Sequence, residues 1–184
     1  MSKTIVNKDN PILREIARPL EEKKIGSKKI LSILNKMRKA LYSEEDGVAI
    51  AAPQVGESLR MFMVRGDILK ANSAEDSEDK KTYRDLVFIN PEILKASKKR
   101  KKMEEGCLSV RWLYGKVERS EKVKIKALDE TGKKIEVGAS GLMAQIFQHE
   151  IDHLNGILFI DKAHDVEDLP PKTQKKNKKE IENE

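Results

Sequence analysis

The sequence predicts an α+β domain in which antiparallel β-sheets wrap around a central buried helix that carries an H-E-x-x-H motif. Three observations lead to it. Residues 27–44 show an amphipathic helical pattern, short apolar runs and one alternating hairpin fill 48–137, and residues 140–155 are apolar almost all round yet hold two histidines four residues apart.

Each element has its own signal. Over 27–44, Ile30, Leu34, Met37 and Leu41 recur at helical spacing, Ser27 stands where an N-cap belongs, and Asp46-Gly47 stand where the helix must stop. Val48 to Pro53, Met61 to Val64 and Leu86 to Ile89 are apolar runs bounded by Gly, Pro, Asn or charge, which is the pattern of strands. Between the last two, Gly66 to Arg84 is polar and unpatterned and is expected to be a surface excursion. Val123, Ile125 and Ala127 alternate with lysines, Asp129 to Gly132 supply turn chemistry, and Ile135 and Val137 alternate on the far side, so a hairpin with one wet face is expected. Ser140 is placed to cap a second helix ending at Gly156, and Leu142, Met143, Ile146, Phe147, Ile151 and Leu154 point in nearly every direction around it. Such a helix must be buried. Beyond Lys162 the chain is too polar for burial to offset its ordering entropy, which divides it into a folded domain at 1–165 and a charged, Lys-rich tail at 166–184.

Length and composition bound the function. The 184 residues fit one domain, and 37% charged with 38% hydrophobic residues describes a polar surface around a modest core. Lys and Arg (37) exceed Asp and Glu (31) to give +6, enough for a nonspecific attraction to an anionic partner such as RNA. No apolar run approaches the ~20 residues of a membrane span, and MSKTIVNKDN lacks the apolar stretch of a secretory signal, so a cytoplasmic protein without membrane contact is expected. Cys107 is the only cysteine and cannot form an internal disulfide; it is a nucleophile, a metal ligand or a core residue.

The second helix contains Gln148-His149-Glu150-Ile151-Asp152-His153. At ~100° per residue, His149 and His153 share one face and both imidazoles can reach one metal ion. The competing explanation is two satisfied polar residues in an ordinary helix. A catalytic site of this kind takes three protein ligands and leaves one position open. Downstream, His164 and its acidic neighbours lie in a loop-like composition; upstream, Glu105-Gly106-Cys107-Leu108-Ser109 offers a thiolate with no packing period around it.

With these motifs in view the chain resembles the peptide deformylases. Gly47-Val48-Ala49-Ile50-Ala51-Ala52-Pro53-Gln54 is similar to that family's first motif, Glu105 to Ser109 to its second and Gln148 to Gly156 to its third, in the same order. Asn10 to Arg14, Val117-Glu118-Arg119 and the hairpin extend the likeness over about residues 5–162. The departures are Ala49 in place of a glycine, Arg111-Trp112-Leu113-Tyr114 where a Pro-Gly turn is common, and the excursion at 66–84.

The resemblance implies removal of the formyl group from N-terminal formyl-methionine of newly made polypeptides, with formate as product. It implies that Cys107, His149 and His153 hold one divalent metal, Fe(II) by family likeness, with Zn(II), Ni(II) or Co(II) able to substitute. Glu150 is then the general acid/base, and the Gln54 amide and the Leu108 backbone N–H stabilise the developing oxyanion. Val48, Leu142 and Ile146 are expected to line a methionine pocket, and the strand at Val48, Ala49 and Ile50 to pair with the extended substrate. Position 49 is expected to have ordinary strand dihedrals. Glu105 and Arg119 are expected to pair, while Asp152 either orients an imidazole or a nearby backbone group or lies on the helix surface. The partners are formyl-methionyl nascent peptides, with weak electrostatic contact to the ribosome through Lys98 to Lys102 and the tail lysines set against plain solvation of those charges; a monomer is expected. Two other functions compete: an H-E-x-x-H metallopeptidase, and a basic ribosome-associated protein with a structural metal. Glu105-Gly106-Cys107 and Gln54 argue against both.

Overall fold

A computed structural model describes residues 5–68 and 84–171, so most of the 66–84 excursion and the tail beyond 171 lie outside the described residues. Helix α1 (Lys28–Tyr42) forms where its periodicity places it. The Ser27 side chain accepts from the Ile30 N–H at 3.5 Å, and Ile30, Ile33, Leu34, Met37, Ala40 and Leu41 make one buried face. Among the described residues eight strands follow α1: β1 (Ala49–Ala51), β2 (Met61–Val64), β3 (Leu86–Ala96), β4 (Arg100–Gly106), β5 (Leu113–Ser120), β6 (Lys122–Leu128), β7 (Lys134–Ser140) and β8 (His164–Asp168), with α2 (Gly141–Leu154) between the last two. They build two antiparallel sheets, one of order β1-β2-β3-β6-β7 and one of order β4-β5-β8. The architecture is α+β, as the sequence predicts. Among the described residues no helix is long and apolar enough to cross a membrane.

The larger sheet has a core on each face, and strand alternation decides which side chain goes where. Met61 and Met63 of β2, Val87 and Ile89 of β3, and Ile50 of β1 pack with the buried face of α1. Phe62, Val64 and Phe88, with Ala49 and Ala51, point the other way, onto Ala144, Ile146, Phe147 and Ile151 of α2. Phe62 stacks on Phe88 and both meet Phe147 at steeper angles, with ring centroids 4.8 to 5.9 Å apart, each pair adding about 0.5–1.5 kcal/mol beyond area burial. Phe159, Leu158 and Leu13 form a smaller cluster with Val110 and Val117.

Two expectations change. β3 does not stop at Ile89: Asn90, at φ 51°, begins a bulge, its side chain bonding both the N–H and the C=O of Leu20 at 2.8 Å, and the strand resumes against β6. The stretch beyond Lys162 is not all tail, because β8 pairs with β5 and Leu169 donates to the Trp112 carbonyl at 3.0 Å. β8 is exposed along its length, so backbone pairing rather than apolar burial holds it.

Candidate metal centre

Three elements converge at one end of α2. β4 ends at Gly106, and Cys107 opens a turn in which its carbonyl accepts from the Val110 N–H at 3.0 Å. His149 and His153 lie one turn apart on α2, and the ligand atoms of Cys107, His149 and His153 all fall within 4.8 Å of one another. Cys107 Sγ is 3.2 Å from His153 Nε2. His164 stands exposed on β8 and is not in the group.

One of the two imidazoles is held in place by a buried ion-pair network. His149 Nδ1 lies 2.9 Å from Glu105 Oε2, so a proton there leaves Nε2 as a bare lone pair. Glu105 is itself fixed: Arg119 donates Nε to Oε1 at 2.7 Å and Nη2 to Oε2 at 2.9 Å. Arg119 Nη1 donates to Asp152 Oδ2 at 2.6 Å, and Lys162 Nζ reaches the same carboxylate at 2.7 and 2.8 Å. The Glu105–Arg119 pair expected from sequence therefore exists, whereas Asp152 is neither on the surface nor bonded to an imidazole: its carboxylate is a buried partner of Arg119 and Lys162. Removing one member of such a buried pair costs about 3–5 kcal/mol, which keeps the network together. Burial alone would push the Glu105 carboxyl up, but hydrogen bonds from Arg119 and His149 outweigh it and bring it down to about 2. Glu105 is an anion at any physiological pH.

The remaining groups fit a cation. Burial holds His153 well below its ordinary value, leaving a neutral imidazole. Burial also opposes charge on His149, yet Cys107 and Glu105 outweigh it and raise that imidazole well above its ordinary value. A cation held among the three donors would answer the same negative field. A thiolate with two imidazoles suits a soft or borderline divalent ion and leaves a fourth position open. Glu150, next along the helix, is buried with Oε2 unpartnered, and burial pushes its carboxyl up to about 7.

One cleft connects these groups with the substrate residues expected from sequence. Cys107, Leu108, His149, Glu150 and Gln54 line it, as do Val48, Ala49, Leu142 and Ile146. Gln54 sits in the 3-10 turn Ala52–Val55; its Oε1 accepts from the Ala51 N–H at 2.8 Å, which aims Nε2 at Cys107 Sγ (3.5 Å) and Ser109 Oγ (3.3 Å). Ala49 lies in β1, and among the described residues the positive-φ residues other than glycine are Asn90 and Asp165, so the methyl sits on ordinary strand backbone. Gly47 is required where it stands, since a Cβ there would lie 2.8 Å from the Leu41 carbonyl oxygen. Ile50, expected only as part of the pairing strand, has a side chain that points elsewhere. Alternation along β1 turns its side chain into the α1 core, fully buried, and it does not line the cleft. Asp46, Gln145, Arg111, Trp112 and Tyr114 also line the cleft and were not expected there. Only the departure of 111–114 from the family pattern hinted at the last three.

An α+β fold with a Cys/His/His group able to hold a metal, an adjoining buried carboxylate and an open cleft is the arrangement a metal-dependent hydrolase needs. The sequence profile of the polypeptide deformylase family matches residues 2–168. The peptide deformylase of Halothermothrix orenii is 45% identical over 154 residues, covering 84% of this chain and 88% of its own. That of Mesorhizobium japonicum is 43% identical over 159 residues, covering 86% and 82%. Among solved structures, the actinonin-bound class I type b peptide deformylase of Acinetobacter baumannii has a TM-score of 0.73 and 36% identity over 87% of this chain and 97% of that one. A peptide deformylase from Legionella pneumophila gives 0.72 and 39% over 88% and 85%. The chain belongs to the polypeptide deformylase family, and its activity is the hydrolytic removal of the formyl group from nascent peptides.

Proposed function

We propose that deformylation is carried out by Cys107, His149 and His153 as metal ligands, Glu150 as general acid/base, and Gln54 with the Leu108 N–H as oxyanion donors. The observation that carries this is that Cys107, Leu108, His149, Glu150 and Gln54 line one cleft, that His153 lies with Cys107 and His149 in one ligand group, and that Glu150 Oε2 is buried without a partner. When bound, the ion supplies Lewis acidity, which makes water a nucleophile near neutral pH and polarises the formyl oxygen. Glu150 Oε2 takes a proton from the attacking water and later gives it to the departing amine, so that formate and a free N-terminus result. Gln54 Nε2, oriented by the Ala51 N–H, donates to the oxygen on which negative charge develops. Leu108 follows Cys107 directly, and among the described residues no acceptor takes its N–H. Fe(II) is the ion the family likeness favours, and Zn(II), Ni(II) and Co(II) suit the same donors.

Substrate lies along β1, an edge strand of the larger sheet. The Val48 carbonyl accepts from Arg65 and Ile50 pairs with Met63 of β2, so alternation leaves the main chain of Ala49 on the open edge for an extended peptide. Val48, Ala49, Leu142 and Ile146 receive the methionine side chain, and Ile50 contributes through its place in the strand. In this reading α2 is the central helix, with its H-E-x-x-H motif, about which both sheets wrap. Residues 1–165 are the catalytic domain and 166–184 a charged tail whose first residues pair in β8. The protein acts as a cytoplasmic monomer, with weak electrostatic contact to the ribosome through exposed lysines such as Lys101 and Lys102. The test is formate release from formyl-Met-Ala-Ser with internal peptide bonds left uncut; internal cleavage without formate assigns the site to a metallopeptidase instead.

A further inference from the structure

Residues that the motifs leave out gather at the other end of the cleft. Arg111 and Trp112 lie in the second of two successive turns after Cys107, closed by Val110 N–H to Cys107 C=O and Leu113 N–H to Val110 C=O. The Arg111 guanidinium donates to both oxygens of Asp46, and its Nη2 also donates to Glu44 Oε2 at 2.9 Å. Its side chain is 6% exposed and sits over the Trp112 ring, 4.7 Å from the centroid. Glu44 and Asp46 belong to the turn between α1 and β1, whereas Arg111 and Trp112 belong to the segment between Cys107 and β5. One guanidinium therefore ties together the two walls of the cleft. Tyr114 completes the second wall, its ring seated on Gly106, where a Cβ would lie 2.7 Å from it.

The direction of the substrate follows from β1. The strand runs toward Gln54, whose Nε2 reaches Cys107, and the chain there enters a 3-10 turn whose residues are all buried. A peptide with its formyl group at the metal ligands and its backbone along β1 must run the opposite way, past Val48 and Gly47 to Asp46 and the guanidinium. We propose that Arg111 is a positioning residue: its clasp on Glu44 and Asp46, with Trp112 as the aromatic face, sets the cleft width that grips the residues after formyl-methionine. This rests on the deformylase reading above. Without the guanidinium, two neighbouring carboxylates repel and the Trp112 ring loses its cover; lysine keeps the charge but not the planar fork that serves both carboxylates.

Trp112 is the chain's only tryptophan, so its emission reports on the clasp alone. Titrating the metal-loaded enzyme with the product tripeptide Met-Ala-Ser should change that emission saturably. Arg111→Met should weaken this binding about tenfold, with Arg111→Lys in between. On formyl-Met-Ala-Ser, Arg111→Met should raise KM about tenfold with kcat within about twofold, and on formyl-methionine amide, which has nothing beyond methionine, KM should move by less than about twofold. Equal tripeptide affinity in wild type and Arg111→Met, or a kcat loss shared by both substrates, overturns the clasp. Wild-type formate release with no Arg111 effect removes the clasp alone. Tripeptide binding that depends on Arg111, with no formate release from wild type, removes the deformylase reading alone.

Discussion

α1 and α2 lie against opposite faces of one sheet and bury opposite kinds of surface. α1 buries six residues, all apolar. α2 buries ten, of which Gln145, Gln148, Glu150, Asp152 and His153 are polar. An unpartnered buried polar group costs about 1–3 kcal/mol, and most of those on α2 are answered. Gln145 donates to the Glu104 carbonyl at 2.8 Å, Gln148 exchanges bonds with the Ser120 backbone at 3.0 Å, and Asp152 meets Arg119 and Lys162. Glu150 Oε2 and His153 Nδ1 are left without partners. A helix that only packs gains nothing from such atoms, and α1 has none among its buried residues. The difference separates the part of this molecule that holds the fold from the part that spends stability on chemistry.

That separation breaks most sharply at Glu150. Glu150→Gln preserves size and should keep the metal, while kcat for formate release falls by roughly 10²–10⁴. Near-normal turnover would remove the carboxylate from its role. Glu105→Gln acts one step away: it weakens the hold on His149, and the metal dissociation constant, measured by competition with a chelator, should rise about 10–100-fold. On the other face the outcome reverses. Met37→Ala in α1 should cost about 2–5 kcal/mol by chemical denaturation, yet leave kcat/KM within about twofold at a temperature where the variant is folded. A large activity loss in folded Met37→Ala would erase the distinction between the helices.

The smallest effect concerns how α1 is tied to its surroundings. Burial alone would raise the Asp85 carboxyl, but Arg38 at 2.7 Å, Tyr42 at 2.7 Å and the Gly66 N–H at 3.1 Å outweigh it and hold it below its ordinary value. A lowered carboxyl gives stability that is fully present above the unfolded-state value and is lost as pH falls through the folded one. Between pH ~5 and ~2, then, wild type should lose stability more steeply than Asp85→Asn. Parallel slopes would show that the pairing contributes nothing.

How much of this was legible in the sequence follows the same line. α1, β2, the β6–β7 hairpin and α2 could be read because a single period sorts their side chains between core and water. The first motif shows which residues of β1 are apolar but not which face each side chain occupies, so the burial of Ile50 against α1 was not legible; that depends on pairing with β2. β3 was cut short at Asn90-Pro91, a turn signal that the Asn90 bonds to distant Leu20 override. β8 has no buried residue and so no apolar pattern to read. The Cys107, His149 and His153 group and its neighbour Glu150 could be picked out because their spacing within two short motifs is local. The Arg111 clasp was not, because it joins residues 65 and 67 positions apart.

The central claim is that the polar end of α2 exists to bind a metal and hydrolyse a formamide there. Titrating metal-free protein anaerobically with Fe(II) while measuring formate release from formyl-Met-Ala-Ser tests it most directly. Activity should start near zero, rise linearly and level off at about one equivalent, with Cys107→Ala showing no rise. Formate release that is independent of added metal, or full metal binding without formate release, would contradict the account.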